Sequence, residues 1–203
     1  MNAKYFNAAK HKKIKNWEDS DTGSLRGKTI GLLGVGSIGA EVAITAKFFG
    51  MNVCGYTLGS EASKHVDEYY HGNELLEFAD GLDYLVSILP NTKDTRKIIN
   101  ADLLNALPSH AIVINVGRGT AVDESALIEA LNQNKIAGAV LDVFEKEPLP
   151  KDHPFWTTPN LLMTFHTSAP SLPEDITNLF IENYELFKEG QPLMYQVNFE
   201  RGY

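Results

Sequence analysis

The stretch TIGLLGVGSIGAEVAITAKFFG, residues Thr29–Gly50, decides the fold of this chain. Its first part is a continuous apolar run that predicts a buried β-strand over Thr29–Leu33. Its second part has apolar residues at helical spacing and predicts a helix over Ile38–Phe49. A strand that turns directly into a helix is the first unit of an α/β fold.

The turn between these two elements contains Gly34, Gly36 and Gly39 at the spacing G-x-G-x-x-G. The first glycine permits a tight turn, the second lets the backbone approach a pyrophosphate, and the third lets the helix pack closely on the strand. The helix start adds free N–H groups at Ser37 and Ile38 and the positive end of the helix dipole. The motif therefore predicts dinucleotide binding; the alternative is a turn that only joins a strand to a close-packed helix.

Strands and helices alternate along the rest of the chain. Further strands are predicted over Asn52–Tyr56, Tyr84–Leu89, Ala111–Val116, Ala137–Val143 and Leu161–Thr164. Further helices are predicted over Asn73–Ala79, in short pieces over Thr95–Ala106, and over Glu124–Asn132 and Leu172–Lys188. The strands are nearly continuous apolar runs, as in a parallel sheet whose two faces are both covered by helices. We therefore expect an α/β fold with a doubly wound parallel sheet, a dinucleotide-binding domain of the Rossmann type.

The domain organisation follows from this pattern. We assign residues 1–22 to a leading helix or linker, residues 23–188 to one dinucleotide-binding domain with a single core, and residues 189–203 to a C-terminal tail. The Pro-rich segment EPLPKDHPFWTTPN is too short to link two domains, and it is expected to be an ordered loop.

Composition limits the classes of function. The net charge is −8 and the one basic block, His11–Lys15, is short, so nucleic acid is not expected as a partner. Cys54 is the single cysteine, which excludes an internal disulfide and a multi-cysteine zinc site and fits a reducing compartment. No apolar run approaches the ~20 residues that span a bilayer, and the N-terminus lacks a signal-peptide core. We expect a cytoplasmic protein with no metal site and no membrane contact.

The end of the second strand selects between the two nicotinamide cofactors. An acid at this place bonds the adenosine ribose hydroxyls, whereas a basic neighbour accepts a 2′-phosphate. The sequence has Thr57 and Leu58 there, followed by Ser60 and Lys64, either of which is within plausible reach of a phosphate. Because no carboxylate repels the phosphate, we expect NADP in preference to NAD, with Thr57 as a cofactor contact.

Later strand ends bear side chains suited to catalysis. Arg118 lies between two glycines after a strand, and its planar set of donors suits a carboxylate and an adjacent carbonyl. Asp142 ends the next strand inside an apolar run, where an acid is costly to bury without a partner. Asp142 has two possible roles: it contacts the nicotinamide end of a cofactor, or it caps the N–H groups of a neighbouring loop. Glu145 and Glu147 follow, and spacing does not rank them.

His166 follows the last predicted strand in the same way. Histidine is the side chain most able to transfer a proton near neutral pH, and an adjacent carboxylate holds its ring and favours its charged form. A polar residue at a loop mouth is the alternative. The remaining histidines are predicted at the surface: His11, His65, His71, His110 and His153.

With these residues identified, the chain resembles the D-isomer-specific 2-hydroxyacid dehydrogenase family over nearly its whole length. The matching segments are LRGKTIGLLGVGSIG, LVSILPNTKDTRKIIN, AIVINVGRGTAVDESALIEAL, GAVLDVFEKEPLP and FHTSA. The ending QVNFERGY indicates the glyoxylate/hydroxypyruvate reductases within this family. The resemblance implies an enzyme that transfers a hydride between a nicotinamide and a small 2-oxo or 2-hydroxy acid such as glyoxylate or hydroxypyruvate. It also implies a homodimer formed through this domain.

The resemblance assigns roles residue by residue. It implies that Arg118 binds the substrate, that Glu147 pairs with the catalytic histidine, and that His166 gives or takes the proton. It makes Asp142 a contact of the nicotinamide. Beyond the glycine turn and Thr57, the other predicted cofactor contacts are Pro90, Asn91, Thr95, Val116, Gly117, His166 and Ser168.

The sequence departs from the family pattern at two points. Phe165 stands where the family has proline, which frees one φ angle and is expected to relax the loop. Relatives begin with about a hundred residues of a separate substrate domain, which this sequence lacks. We therefore expect cofactor binding to survive better than turnover, and apolar tail residues such as Leu193, Tyr195, Val197 and Phe199 to be exposed. A non-catalytic NAD(P)-binding module, acting as a sensor or interaction protein, is the competing hypothesis.

Overall fold

Seven parallel strands form one sheet in the computed structural model, which describes residues 23–199. The strands are β1 (Thr29–Leu33), β2 (Asn52–Thr57), β3 (Glu68–His71), β4 (Tyr84–Ser87), β5 (Ile112–Asn115), β6 (Gly138–Leu141) and β7 (Leu161–Met163). Their order across the sheet is β3-β2-β1-β4-β5-β6-β7, and all neighbouring pairs are parallel. The predicted doubly wound parallel sheet is therefore confirmed.

Four α-helices lie between these strands, α1 (Ser37–Phe48), α2 (Leu75–Ala79), α3 (Ala101–Ala106) and α4 (Glu124–Asn132), and a fifth, α5 (Pro173–Lys188), follows β7. Two of the helices are capped at the N-terminus by a side chain. The side-chain oxygen of Asn100 accepts the N–H of Leu103 at the start of α3, and the carboxylate of Asp123 accepts the N–H of Ala126 at the start of α4. Each such cap satisfies one of the N–H groups left unpaired at a helix start. The start of α1, at Gly36, has no side-chain cap.

The buried apolar residues form two clusters, one on each face of the sheet. One contains Leu33 and Leu85 together with residues of α2, α3 and α4. The other contains Leu32 and Val86 together with Ala43 and other residues around α1. Because successive strand side chains point to opposite faces, adjacent residues such as Leu32 and Leu33 serve different clusters. The single core expected from the sequence is thus divided in two by the sheet.

The order of strands places a crevice at the middle of the sheet. From β1 the chain moves outward to β2 and β3, and it then returns to pair β4 on the other side of β1. In open parallel sheets, ligands bind outside the carboxyl ends of the strands at such a reversal of strand order. The loops after β1, β4, β5, β6 and β7 all leave from this edge of the sheet.

The structure contains one strand that the sequence did not predict, β3, with the sequence EYYH. The preceding residue, Asp67, ties it to β2: its N–H donates to Val53 O, and its carboxylate accepts the Val53 N–H at 2.7 Å. An edge strand pairs on one side only and needs no continuous apolar run, which is why the pattern was missed. The predicted short helices over 95–106 are reduced to α3, because residues 93–97 form a turn.

The tail beyond α5 exposes the apolar side chains predicted to be uncovered, namely Leu193, Tyr195, Val197 and Phe199. The predicted leading segment, residues 1–22, lies outside the described residues. No helix within residues 23–199 combines the length and the apolar character needed to cross a membrane.

Phe78 offers a test of the core beneath β2 and β3. Its side chain is 1% exposed and packs against Tyr56 and Tyr70, with ring centroids 5.7 Å from each. Replacing Phe78 with Ala should lower the free energy of unfolding by about 3 to 5 kcal/mol, since it leaves a cavity between the two tyrosines. Urea unfolding measures this loss.

Phe48→Ala is the matched control, because Phe48 is 85% exposed. Its free energy of unfolding should stay within about 0.5 kcal/mol of that of the unchanged protein. Similar losses in both variants would contradict the packing described here.

Candidate active site

The glycine turn after β1 has the geometry that a pyrophosphate requires. Gly34 has a φ of +94°, in the region that favours glycine. A Cβ on Gly39 would lie 2.3 Å from Gly34 O, so the helix can approach the turn only because this residue has no side chain. By contrast, a Cβ on Gly36 would meet nothing within 4 Å. Gly36 therefore faces open space, where a ligand can come close to the backbone.

The first turn of α1 faces the same space. Ser37 and Ile38 are exposed, and with no side chain capping the helix start their N–H groups are available to an anion. The residues present thus fit the diphosphate of a nicotinamide dinucleotide. Gly34 to Gly39 are the group that would hold it.

Thr57 orders the turn that follows β2. Its hydroxyl donates to Ser60 O at 2.8 Å and accepts the N–H of Gly59 at 3.2 Å. The next side chain, Leu58, is 81% exposed. This turn is the place where the sequence predicts the adenosine end of the cofactor.

The loop after β4 contains three of the predicted cofactor contacts, Pro90, Asn91 and Thr95. The hydroxyl of Thr95 donates to Pro90 O at 2.6 Å and closes this loop on itself. Asn91 Oδ1 accepts a hydrogen bond of 2.8 Å from the hydroxyl of Thr120, which follows β5. The two loops are thus joined at the carboxyl edge of the sheet.

Arg118 lies in a turn that is wedged between its neighbours. A Cβ on Gly117 would lie 2.7 Å from the backbone of Leu89, and one on Gly119 would lie 1.9 Å from the backbone of Phe144. The two glycines therefore let the turn, which begins at Val116, pass between the loops after β4 and β6. The guanidinium Nη1 donates to Gly117 O at 2.8 Å. Its Nε and Nη2 have no partner among the described residues, so they are available to a ligand.

Glu147 and His166 form a hydrogen-bonded pair across the site, with 2.8 Å between Glu147 Oε2 and His166 Nδ1. The other carboxylate oxygen, Oε1, accepts the N–H of Phe144 at 2.9 Å. The hydrogen bonds from His166 and Phe144 lower the pKa of Glu147 below its ordinary value. Because a carboxylate only accepts, Nδ1 bears the proton and Nε2 is the nitrogen that can exchange one.

Spacing did not rank Glu145 against Glu147, and the structure separates them. Glu145 also lines the cleft, but its carboxylate pairs with Arg96, and its N–H donates to Glu124 Oε1 at 3.1 Å. Glu147 alone of the two pairs with the histidine. Glu145 therefore helps to fix the loop, and Glu147 orients the imidazole.

Asp142 is 2% exposed, and it organises the segment that contains His166. Its carboxylate accepts hydrogen bonds from the Thr164 hydroxyl, the Thr167 N–H, and both the N–H and the hydroxyl of Ser168. Burial by itself would raise the pKa of Asp142, but these hydrogen bonds outweigh it and hold the pKa far below the usual range. This is the capping role that the sequence left open as one of two alternatives. Ser168, a predicted cofactor contact, thus uses its N–H and its hydroxyl to bind Asp142.

The backbone at His166 is also constrained. Its φ is +56°, in the left-handed region that non-glycine residues adopt rarely, and its N–H donates to Asp142 O at 2.7 Å. The preceding Phe165 was expected to relax this loop. The hydrogen bonds to Asp142 hold the segment nevertheless, and the ring of Phe165 packs against Trp156 with 6.0 Å between centroids.

The other histidines, which were predicted at the surface, differ in exposure. His65, His71 and His153 are partly buried, whereas His110 is exposed and His11 lies outside the described residues. His153 Nε2 lies 3.2 Å from Glu124 Oε2, with both side chains less than one-fifth exposed. A loop context in the sequence could not show this partner of His153, because Glu124 is 29 residues away.

One cleft brings the predicted catalytic residues together: Arg118, Glu147 and His166 line it, along with Asn91. An arginine, a histidine and the carboxylate partner of that histidine thus line one cleft, at the same edge of the sheet as the glycine turn. A group that binds a carboxylate beside one that moves a proton suits the interconversion of a carbonyl and an alcohol. The fold and the site together define a dinucleotide-binding domain of the dehydrogenase class.

The model of the D-isomer specific 2-hydroxyacid dehydrogenase family, NAD binding domain, matches residues 2–168. The chain belongs to this family. Over 175 residues it is 37% identical to the glyoxylate/hydroxypyruvate reductase A of Klebsiella pneumoniae subsp. pneumoniae, and the match covers 86% of this chain and 56% of that protein. The chain thus spans a little over half the length of this curated relative.

Solved structures of the family superpose closely on the chain. A D-isomer specific 2-hydroxyacid dehydrogenase from Xanthobacter autotrophicus Py2, in complex with NADPH and MES, has a TM-score of 0.92 and 35% identity, covering 100% of this chain and 84% of that one. An NADPH-dependent glyoxylate/hydroxypyruvate reductase from Sinorhizobium meliloti, in complex with NADP and sulfate, has a TM-score of 0.91 and 31% identity, covering 98% and 65%. The predicted family resemblance is confirmed.

Gly36→Ala tests the open side of the glycine turn. Its φ of −81° suits an alanine, and the added methyl meets no protein atom within 4 Å, so stability should be unchanged. The methyl should instead obstruct the diphosphate and weaken cofactor binding by about tenfold or more. Thermal unfolding with and without NADPH measures both effects. Gly39→Ala, whose Cβ meets Gly34 O, should lower the stability of the free protein; the reverse pattern would contradict this geometry.

Asp142→Asn tests the buried carboxylate. The amide places an NH2 group against donors of Thr167 or Ser168, so the free energy of unfolding at neutral pH should fall by about 1 to 3 kcal/mol. In the unchanged protein, the depressed pKa of Asp142 stabilises the fold above the unfolded-state pKa of about 4, and this contribution is lost as the pH falls further. The variant should therefore lose less stability between neutral pH and acid. Urea unfolding measures the free energy of unfolding of both proteins at each pH. A difference between them that does not change with pH would contradict this role of the Asp142 carboxylate.

Proposed function

We propose that this chain provides the cofactor-binding and proton-transferring groups for the reduction of a small 2-oxo acid, with glyoxylate and hydroxypyruvate as the preferred substrates. The observation that supports it most is the 2.8 Å pair of Glu147 and His166, in the same cleft as Arg118. The names of the Klebsiella and Sinorhizobium relatives support the substrate class.

In this proposal, His166 supplies the proton in the reductive direction. Its Nδ1 stays bonded to Glu147, so the proton passes from Nε2 to the oxygen of the carbonyl as that oxygen becomes an alcohol. The carboxylate of Glu147 holds the ring through Nδ1, so that Nε2 is the nitrogen that faces the substrate. In the oxidative direction the same nitrogen takes the proton back. When bound, the nicotinamide supplies the hydride that completes the reduction.

Arg118 holds the substrate in this proposal. Its Nε and Nη2 can form paired hydrogen bonds with the carboxylate of a 2-oxo acid, because the guanidinium presents them in one plane. The wedged turn at Gly117 and Gly119 limits the movement of the arginine backbone. A positive group fixed next to the carbonyl also stabilises the negative charge that develops on its oxygen.

We propose NADP as the preferred cofactor. No carboxylate is present at Thr57 or Leu58, where an acid would repel a 2′-phosphate. The complexes of the Xanthobacter and Sinorhizobium proteins with NADPH and NADP support this choice. We also propose a homodimer formed through this domain, as the family resemblance implies, and a cytoplasmic location, which the single cysteine favours.

Replacing His166 with Ala tests the proton transfer. Oxidation of NADPH in the presence of glyoxylate, hydroxypyruvate or pyruvate should fall by at least about a hundredfold, because the general acid is lost. The Kd for NADPH should stay within a small factor, since the glycine turn is untouched. Steady-state absorbance and a cofactor titration measure the two quantities.

His110→Ala serves as the control, because His110 pairs with Asp83 at the amino edge of the sheet, away from the cleft. Turnover in this control should match that of the unchanged protein. Equal turnover in the His166 variant would refute the assignment. NADPH binding without any turnover by the unchanged chain would favour the non-catalytic module instead.

A further inference from the structure

The unpredicted strand β3 ends at the predicted adenosine end of the site. Its last residue, His71, is paired in register with Thr57, the last residue of β2. Both therefore lie at the carboxyl edge of the sheet, and the ring of His71 stands beside the turn over residues 57–60. His71 is absent from the sequence motifs of the site, because no glycine or strand-end pattern marks it.

Both ring nitrogens of His71 face acceptors. Nδ1 lies 3.0 Å from Thr57 O, and Nε2 lies 2.9 Å from Glu61 Oε1. A neutral imidazole can donate from only one nitrogen, whereas the protonated ring donates from both. The hydrogen bond to Glu61, together with that to Thr57 O, raises the pKa of His71. The surroundings therefore favour a cation at this point.

The group bonded to Nε2 of His71 is an exposed carboxylate, that of Glu61. Glu74, in the turn after β3, accepts the backbone N–H of His71 at 2.7 Å, and Tyr69 of the same strand lies 6.3 Å away with its ring nearly parallel. Glu61 and Glu74 are the charged groups that face the ring. The Glu61 side chain is 61% exposed. Exposed ion pairs are weak, so a doubly charged phosphate can replace this carboxylate.

We propose that His71 is the cationic group that receives the 2′-phosphate of NADP, and that Glu61 holds Nε2 when no phosphate is there. This inference rests on the proposed function, since it concerns the cofactor of the same site. His71 supplies the positive charge that Thr57 and Leu58 do not. The hydroxyl of Thr57 holds the turn to Ser60 in place, so the phosphate would lie between that turn and the imidazole.

The dependence of cofactor affinity on pH provides the first test. In a titration from about pH 7 to about pH 9 a phosphate monoester stays doubly charged, whereas a histidine with a raised pKa, such as His71, loses its proton as the pH passes that pKa. The Kd for NADPH should therefore rise over this range by about tenfold, the effect of losing a hydrogen bond from a charged donor. The Kd for NADH should not change. The fluorescence of the reduced nicotinamide, titrated with the whole chain at each pH, measures both Kd values.

Variants then assign the effect to one side chain. His71→Asn keeps a donor toward Thr57 O but removes the cation, so at about pH 7 it should raise the Kd for NADPH about tenfold, abolish the pH dependence and leave NADH unaffected. Glu61→Gln should lower the Kd for NADPH, because it removes the competing carboxylate. His110→Asn is the matched control and should change neither affinity. NADH binding by each variant also shows that it has folded.

The outcomes separate the inference from the proposed function. If the unchanged chain binds neither NADPH nor NADH, the proposed function fails, and the role of His71 fails with it. If both cofactors bind and the ratio of their affinities is the same in His71→Asn, only the role of His71 is overturned. Loss of NADPH selectivity in Lys64→Gln but not in His71→Asn would likewise assign the phosphate to Lys64.

Discussion

The catalytic end of the site depends on the buried carboxylate of Asp142. A charge at an apolar strand end is tolerated only where donors surround it, and Thr164, Thr167 and Ser168 provide those donors. The chain after β7 must therefore fold back over Asp142. His166 lies within this segment. Its positive φ costs a non-glycine residue about 1 kcal/mol or more. One acid that touches no proposed substrate group thus determines where the proton-exchanging nitrogen stands.

Two histidine–glutamate pairs lie on the same edge of the sheet, and their geometry suits different tasks. His166 has one nitrogen bonded to Glu147 and the other without a partner among the described residues. It can gain or lose a proton at the nitrogen that faces the cleft. His71 has acceptors at both nitrogens, Thr57 O and Glu61, which raise its pKa and favour its charged form. The first arrangement suits proton transfer, and the second suits recognition of an anion.

Most of the sheet was predictable because central strands are covered on both faces. The runs TIGLL, AIVINV and AGAVLDV must be apolar throughout to lie between two layers of helices, and this pattern is visible without a structure. β3 was not predicted, for the opposite reason. At the edge of the sheet, half-buried tyrosines and pairing with β2 are enough to form a strand without a continuous apolar run. The turn at residues 93–97 was not predicted either. It is held by a hydrogen bond between the hydroxyls of Thr92 and Thr95 and by one from the Thr95 hydroxyl to Pro90 O.

The sequence by itself determined the fold class, the glycine turn and the set of strand-end residues that includes Arg118 and His166, because strand periodicity and turn chemistry are local properties of the chain. It did not determine which of two glutamates meets the histidine, nor that Asp142 caps the loop after β7. It also gave no sign of the role proposed for His71. Those outcomes were decided by the tertiary structure, because each is a contact between segments far apart in sequence that meet only when the parallel sheet aligns their strand ends.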